Sequence, residues 1–295
     1  MTPSTPSVSV LITAYNREGL IARAIESVLA STFSDFELIV VDDASRDRTA
    51  EVARSYSGAD ARVNVFVNES NLGDYPNRNR AAGYARGKYL KFVDSDDFIY
   101  PHGLEVMVAC MEAFPAAALG LSAVPDGSAP YPRMLSSAEA YRAHFFQRDL
   151  LARAPGSAII KRSAFEEVGG FSGVRQVGDH ELWMKMARRF PVVKMPADLV
   201  WDSDLPEQQK HVDSAVDRTV MHEDVEVMAL RAEDCPLTTS ERNAALARLE
   251  RRRMRTYWHF LRHGGGLSAA EDYRHKAAVP LRTMLTAPLR LAFRN

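Results

Sequence analysis

The run Tyr89-Leu90-Lys91-Phe92-Val93-Asp94-Ser95-Asp96-Asp97 holds the densest chemistry in the chain, with three acids in its last four positions. Its first half reads as a buried strand. Carboxylates this close repel one another and lose hydration unless a cation or hydrogen-bond donors compensate. A hard divalent cation of the magnesium or manganese kind, which also holds phosphate oxygens, is the simplest compensation. A solvated strand-to-loop turn is the plainer alternative, since Asp and Ser are common turn residues. Two more polar clusters, Thr13-Ala14-Tyr15 and Asp42-Asp43, also end apolar runs. Further on, Asp179 opens a helical pattern in Gly178-Asp179-His180-Glu181. A carboxylate there suits either proton removal from a hydroxyl or helix capping.

The elements that must position these groups alternate. Val8–Thr13, Phe36–Val41, Val63–Val67 and the acid-bearing run read as strands. Between them, Glu18–Ala30 has a helical apolar face, Ser45 and Asp47 are capping candidates for a helix reaching Tyr56, and Arg78–Ala85 is helical. Strand and helix in turn at this spacing argue βαβ units and a mostly parallel, Rossmann-like sheet flanked by helices. Ligands of such sheets sit beyond the carboxyl ends of the strands, and the three clusters all fall there. Neither a GxGxxG nor a GxxxxGK[ST] motif is present, so any phosphates must be held by metal and side chains. Later, a helix from Gly103 to Ala113, a strand within Ala116–Val124, a helical stretch from Ser136 to Asp149, a strand at Ser157–Ile160 and a last strand at Val192-Val193 are expected.

Composition narrows the class. The chain has 295 residues, 46% apolar and 25% charged, as in ordinary globular proteins, and a formal net charge of −1 that gives no case for nucleic-acid binding. The charge is uneven: from Arg248 onward 11 Lys/Arg face 3 Asp/Glu, a net of +8, which leaves −9 on residues 1–247. Cys110 and Cys235 have neither metal nor redox spacing. No signal segment or membrane-length apolar run occurs, so a cytoplasmic protein is expected. Residues 203–222 are polar and could form a lid; His211 there is a candidate metal ligand, with a simply solvated loop histidine the commoner alternative. Thereafter the chain reads as a helical, basic extension.

The motifs in order resemble a family 2 glycosyltransferase of the GT-A fold. "VSVLITAYNREGLIARAIESVLASTFSDFELIVVDDASRDRT", "NLGDYPNRNRAAGYARGKYLKFVDSDD" and "GGF" followed by "VGDHELWMKMARR" carry the resemblance over about residues 7–200. It implies a catalytic domain over 1–222, with a nucleotide-sugar half at about 7–100 and an acceptor half at about 101–222, followed by an extension over 223–295. It implies an inverting, metal-dependent transferase using Mn²⁺ or Mg²⁺ and a nucleoside-diphosphate sugar, UDP favoured with dTDP or GDP open. The acceptor is a glycan or lipid-linked glycan of bacterial surface polysaccharide synthesis. Carried over residue by residue, Thr13 and Tyr15 would border the nucleobase, Asp43 would accept from its ring N–H, and Asp42 would support that loop. Arg78 would face base or pyrophosphate, Asp94 with Ser95 would lie near the ribose, Asp96 would ligate the metal, and Asp179 would be the general base. The family often has an acid where this chain has Gly178.

Two other classes fit some of these features. A nucleotidyltransferase also holds metal with carboxylates on such a sheet, but calls for a Gly-rich basic loop after the first strand, where "TAYNREGL" offers only Arg17 and Gly19. A non-catalytic nucleotide-sugar-binding protein would be favoured by loss of Asp96 or Asp179, and both are present. The basic segment 248–295 mixes apolar residues with arginines, which suits peripheral contact with anionic membrane, packing on the catalytic domain, or a homo-oligomer contact.

Overall fold

In the computed structural model, which describes residues 5–122, 130–147, 149–203 and 214–280, the chain falls into two compact units, 1–204 and 205–295. The first is built on β1 (Val8–Ala14), β2 (Phe36–Asp42), β3 (Val63–Val67) and β4 (Tyr89–Phe92), all paired in parallel in the order β3-β2-β1-β4. Every residue of β2 is buried, and so is every residue of β1 but Thr13, as β-branched strands covered on both faces must be. Helix α1 (Ile21–Leu29) turns Ile21, Ala24, Ile25 and Val28 inward, the spacing of a single helical stripe. These pack with Val10, Ile12, Leu38 and Val40 of the sheet and with Met107 and Met111 of α4 (Gly103–Glu112). Truncating one such fully buried side chain, Ile25→Ala, is expected to cost about 2–5 kcal/mol.

The connection from β2 to β3 is α2 (Thr49–Ser57), and that from β3 to β4 is α3 (Asp74–Tyr84). Neither capping candidate is the N-cap, which is Arg48: Asp47, one residue earlier, accepts from the Thr49 backbone N–H at 3.0 Å, and Ser45 accepts from Asn16 N at 2.8 Å and ties the first loop to the second.

Beyond β4 the sheet changes character. β8 (Ala158–Lys161) is antiparallel to β4 and to β6 (Leu119–Ser122), β6 is parallel to β9 (Val192–Met195), and β7 (Arg133–Leu135) closes the edge antiparallel to β9. The mainly parallel α/β sheet is as expected, with this mixed second half added. A separate ribbon pairs β5 (Phe98–Ile99) with β10 (Val200–Trp201). These two-residue strands and the three-residue β7 are too short to show any periodicity. The helix expected over 136–149 is α-helical only at α5 (Ser137–Arg142), capped reciprocally by Ser136 and Glu139, and continues as a π-helical turn at Ala143–Gln147. α6 (Arg162–Glu167) and α7 (Gly178–Arg189) complete this unit.

The second unit contains α8 (Ala215–Arg231), α9 (Thr239–His263) and α10 (Gly266–Lys276). Helix α8 runs through the boundary expected at residue 222. Thr238 and Glu241 form a reciprocal capping box at the start of α9, and Gly265 at φ 113° makes the turn into α10. Val216, Val220, Tyr257, Phe260, Ala270 and Tyr273 form its core. Inside it, Glu223 accepts from Tyr273 Oη at 2.8 Å and Arg253 Nε at 3.1 Å, while Arg252 pairs with Glu226. Lys276 pairs with Asp217 at 2.7 Å and Asp272 at 2.9 Å. Several of the cations that make the tail basic are thus internally partnered.

Candidate active site

The carboxyl ends of β1, β2 and β4 bring the three sequence clusters to one edge. Thr13 is half-buried and Tyr15 is 39% exposed, in a loop where Asn16 takes the left-handed conformation at φ 52°. That loop is laced to the one after β2: Arg46 N donates to Asn16 Oδ1 at 2.9 Å, and Arg17 N to Thr49 Oγ1 at 2.7 Å. Ala44, at φ 59°, is in a region that costs a residue with a Cβ of order 1 kcal/mol or more. Strain of this kind persists only where the surrounding hydrogen bonds over-determine it.

Asp42 and Asp43 are both buried and have different duties. Asp43 accepts from the Leu72 and Gly73 backbone N–H groups, each at 2.9 Å, and from Asn68 Nδ2 at 2.7 Å. It therefore pins the loop that leads into α3. Asp42 Oδ2 accepts from Ser45 N at 3.0 Å, and its Oδ1 is buried with no hydrogen-bond partner among the described residues. Loop support thus comes at least as much from Asp43 as from Asp42, and the uncommitted oxygen is on Asp42.

Helix α3 is the hub of the site. Arg78, on its inner face, donates through Nε to Asp74 at 2.8 Å and through Nη1 to Asp94 at 2.9 Å, with its guanidinium 5.7 Å from the Phe92 ring centre. The two carboxylates outweigh its burial and hold the guanidinium firmly protonated. Asn77 Nδ2 donates to the Val41 carbonyl at 3.3 Å, fixing α3 on β2. Asn79 accepts from Phe171 N at 3.0 Å and donates to its carbonyl at 2.8 Å, and so clamps the Gly169-Gly170-Phe171 loop. A Cβ on Gly170 would lie 2.6 Å from Asn79 Oδ1, which accounts for the glycine there.

Ser95, Asp96 and Asp97 are all buried. Arg23 of α1 donates to the Asp96 carbonyl at 2.7 Å, and Ser203 N donates to Asp97 Oδ1 at 2.7 Å. Burial, then the charge of Asp94, followed by those of Asp96 and Asp202, pushes the Asp97 carboxyl up to about 7. Lys91 is wholly buried, and burial pulls its ammonium down to about 7 against the pull of Asp94, Asp202 and Asp97. Its Nζ donates to the Gly156 carbonyl. Neither Lys91 nor Arg23 was marked by sequence reading. The signal for Lys91 was a charge in the middle of a fully apolar run.

Asp179 is half-buried in the first turn of α7, two residues after the N-cap position at Val177, so it is not the capping residue. Its Oδ1 accepts from His180 N at 2.8 Å and from Tyr75 Oη at 3.3 Å. Burial raises this carboxyl to about 6, opposed by the His180 N–H, Arg78 and Tyr75. His211 lies outside the described residues.

Together these give one sheet edge with an acid cluster, a buried arginine linking it to α3, and, at the start of α7, a further carboxylate of raised proton affinity. Residues 9–169 match glycosyl transferase family 2. The chain belongs to glycosyl transferase family 2. Like other members it is a glycosyltransferase with a GT-A fold. It is 38% identical over 104 residues to the Escherichia coli UDP-Glc:alpha-D-GlcNAc-diphosphoundecaprenol beta-1,3-glucosyltransferase WfgD, a match covering 35% of this chain and 40% of WfgD. In structure it is similar to S. aureus TarS 1-349 in complex with UDP-GlcNAc, with TM-score 0.68 and 19% identity over 92% of this chain and 81% of that one. The mannosyltransferase PcManGT from Pyrobaculum calidifontis, in complex with GDP-Man and Mn²⁺, gives TM-score 0.67 and 19% identity over 98% and 78%. Among the described residues no helix of this family 2 member is long and apolar enough to cross a membrane.

Proposed function

We propose that the chain transfers a sugar from a nucleoside-diphosphate sugar to a hydroxyl of a glycan or lipid-linked acceptor, with inversion and with a divalent metal, in bacterial surface polysaccharide synthesis. The observation that carries this reading is Asp179, a carboxylate of raised proton affinity that accepts from Tyr75 and feels the charge of Arg78, which itself donates to Asp94 just beyond β4. A UDP donor is favoured by the donor named for WfgD and the ligand bound in TarS, and a diphosphate-lipid acceptor by the name of WfgD. Donor binding is assigned to Thr13, Tyr15, Asp42, Asp43, Arg78, Asp94 and Ser95.

The residues fit a hard cation. Burial, then the neighbouring acids, raises the Asp97 carboxyl to about 7, and oxygen is the donor atom that Mg²⁺ and Mn²⁺ take. Asp96 would hold the ion, which when bound supplies Lewis-acid neutralisation of charge on the diphosphate. The rest is done by side chains. The acceptor oxygen forms a bond to the anomeric carbon as the bond from that carbon to the phosphate oxygen breaks, the nucleoside diphosphate leaving with the electron pair. Asp179, with a carboxyl near 6, is mostly ionised at pH 7 and takes the hydroxyl proton. Inversion needs this one base and no protein nucleophile. The test is calorimetric titration of UDP with Mn²⁺ into parent and Asp96→Asn chains. Metal-dependent binding is expected in the parent alone, and equal affinity in the two would overturn the assignment.

A further inference from the structure

We propose that Tyr75 is a positioning residue for Asp179, seated by Gly178 so that its hydroxyl holds the carboxylate in place; this rests on the reading of Asp179 as the base. Tyr75 is the second residue of α3 and is only 6% exposed. Its ring packs against Phe171, centre to centre 5.1 Å, and Phe171 is itself clamped by Asn79. On its other side it lies on the backbone of Gly178. A Cβ built there would stand 2.7 Å from Tyr75 Cε2, 2.8 Å from Cδ2 and 2.9 Å from Cγ, closer than carbon atoms pack. Tyr75 and any larger residue at 178 therefore exclude each other unless the ring moves.

The missing acid at position 178 thus has a physical counterpart on α3. Where an acid before the base would add a second negative charge, this chain has a neutral phenol that donates to Asp179 Oδ1 at 3.3 Å. Toward the ionised carboxylate the phenol is the donor, because burial and the charges of Asp179 and Asp74 hold it protonated far above neutral pH. A donor to the charged form favours that form and offsets burial. The other groups facing Asp179 are the His180 backbone N–H, Arg78 and Asp74, of which only Asp74 works against ionisation.

The test compares parent, Tyr75→Phe, Asp179→Asn and the double variant, by melting temperature from pH 4.5 to 9. The difference between parent and Asp179→Asn should titrate near pH 6. In Tyr75→Phe that inflection should move up by roughly half a pH unit to one unit, as loss of one donor to a carboxylate requires. The double variant should differ from Asp179→Asn by a constant. Gly178→Ala, which pushes the ring away, should reproduce the shift and serves if Tyr75→Phe folds poorly. A Tyr75→Phe effect that is the same at every pH in both backgrounds would overturn the proposal, leaving Tyr75 as packing. The catalytic arm is release of UDP from UDP-N-acetylglucosamine with Mn²⁺ and water as acceptor. Tyr75→Phe should slow it roughly three- to tenfold, with its acid limb moved upward. Parental UDP release by Asp179→Asn, with the shift in the melting curves intact, would instead sink the base reading and with it the catalytic part of this proposal.

Discussion

Asp97 gives the sharpest thermodynamic prediction. Its carboxyl moves from 3.8 to about 7 on folding because of burial and the neighbouring acids Asp94, Asp96 and Asp202. A carboxyl raised in the folded state gives stability that is complete below the unfolded value and is lost as pH rises through the folded one. The window is therefore about pH 4 to 7. Three pH units correspond to about 4 kcal/mol, and sharing among interacting acids leaves about 2 kcal/mol for this one residue at pH 8. Asp97→Asn keeps an oxygen for the Ser203 N–H bond of 2.7 Å and removes the charge. Without metal it should melt higher than the parent at pH 8, by about 2–4 °C for each kcal/mol, and the gain should fade toward pH 5. Mn²⁺ at pH 8 should raise the parent more than the variant, because the cation relieves a repulsion that the variant lacks. Differential scanning fluorimetry over pH 5–9, with chelator or Mn²⁺, reads both effects. A difference that stays flat with pH would refute the crowded-acid account of this edge.

Three further outcomes follow from single contacts. Asp179→Asn should leave calorimetric affinity for UDP with Mn²⁺ within a few-fold and slow sugar transfer by about a hundredfold or more, since a general base is lost and a donor contact is not. Asp43→Asn turns an amide N–H₂ toward the Gly73 N–H or the Leu72 N–H and leaves a buried donor unmade; a loss of about 1–3 kcal/mol and faster hydrogen exchange over 68–73 are expected. Arg253→Met leaves the buried carboxylate of Glu223 with Tyr273 at 2.8 Å and Arg252 at 3.9 Å and should cost about 1–3 kcal/mol in chemical denaturation, in contrast to exposed Arg251→Met, which should cost little.

How much of this was legible in the sequence depended on whether a residue's role is local. β1, β2 and β4 were readable because both faces are covered and the runs are mostly apolar, Ser9, Glu37 and Lys91 being the polar exceptions before the strand ends. The acids at their ends were readable because a parallel sheet sends every strand's carboxyl end to one edge. Tyr75, Lys91 and Arg23 were not, since each acts on a residue far away in sequence: Asp179, Gly156 and Asp96 respectively. Likewise β5 and β10 exist only because residues about a hundred positions apart supply each other's hydrogen bonds.

The tail shows the opposite case, a local pattern that loses weight once partners are counted. The net of +8 from Arg248 onward argued for an anionic surface. Across the whole second unit, 205–295, the balance is 15 Lys/Arg against 12 Asp/Glu. Arg252, Arg253 and Lys276 are matched to Glu226, Glu223 and Asp217 within it, and Tyr257 and Phe260 face its own core. A cation already paired with a carboxylate gains little from a lipid headgroup, so the drive for membrane contact is smaller than the tail's count implies. Truncation near Gly264 would also remove α10, whose Ala270 and Tyr273 are buried, and would confound lost binding with lost folding. Cutting after Pro280 removes Arg282, Arg290 and Arg294 and leaves every helix of the unit described above intact. Co-sedimentation with anionic vesicles at low salt then decides the matter: binding by the full chain that the shorter one lacks would locate membrane contact in the last fifteen residues, and no binding by the full chain would remove it from the reading.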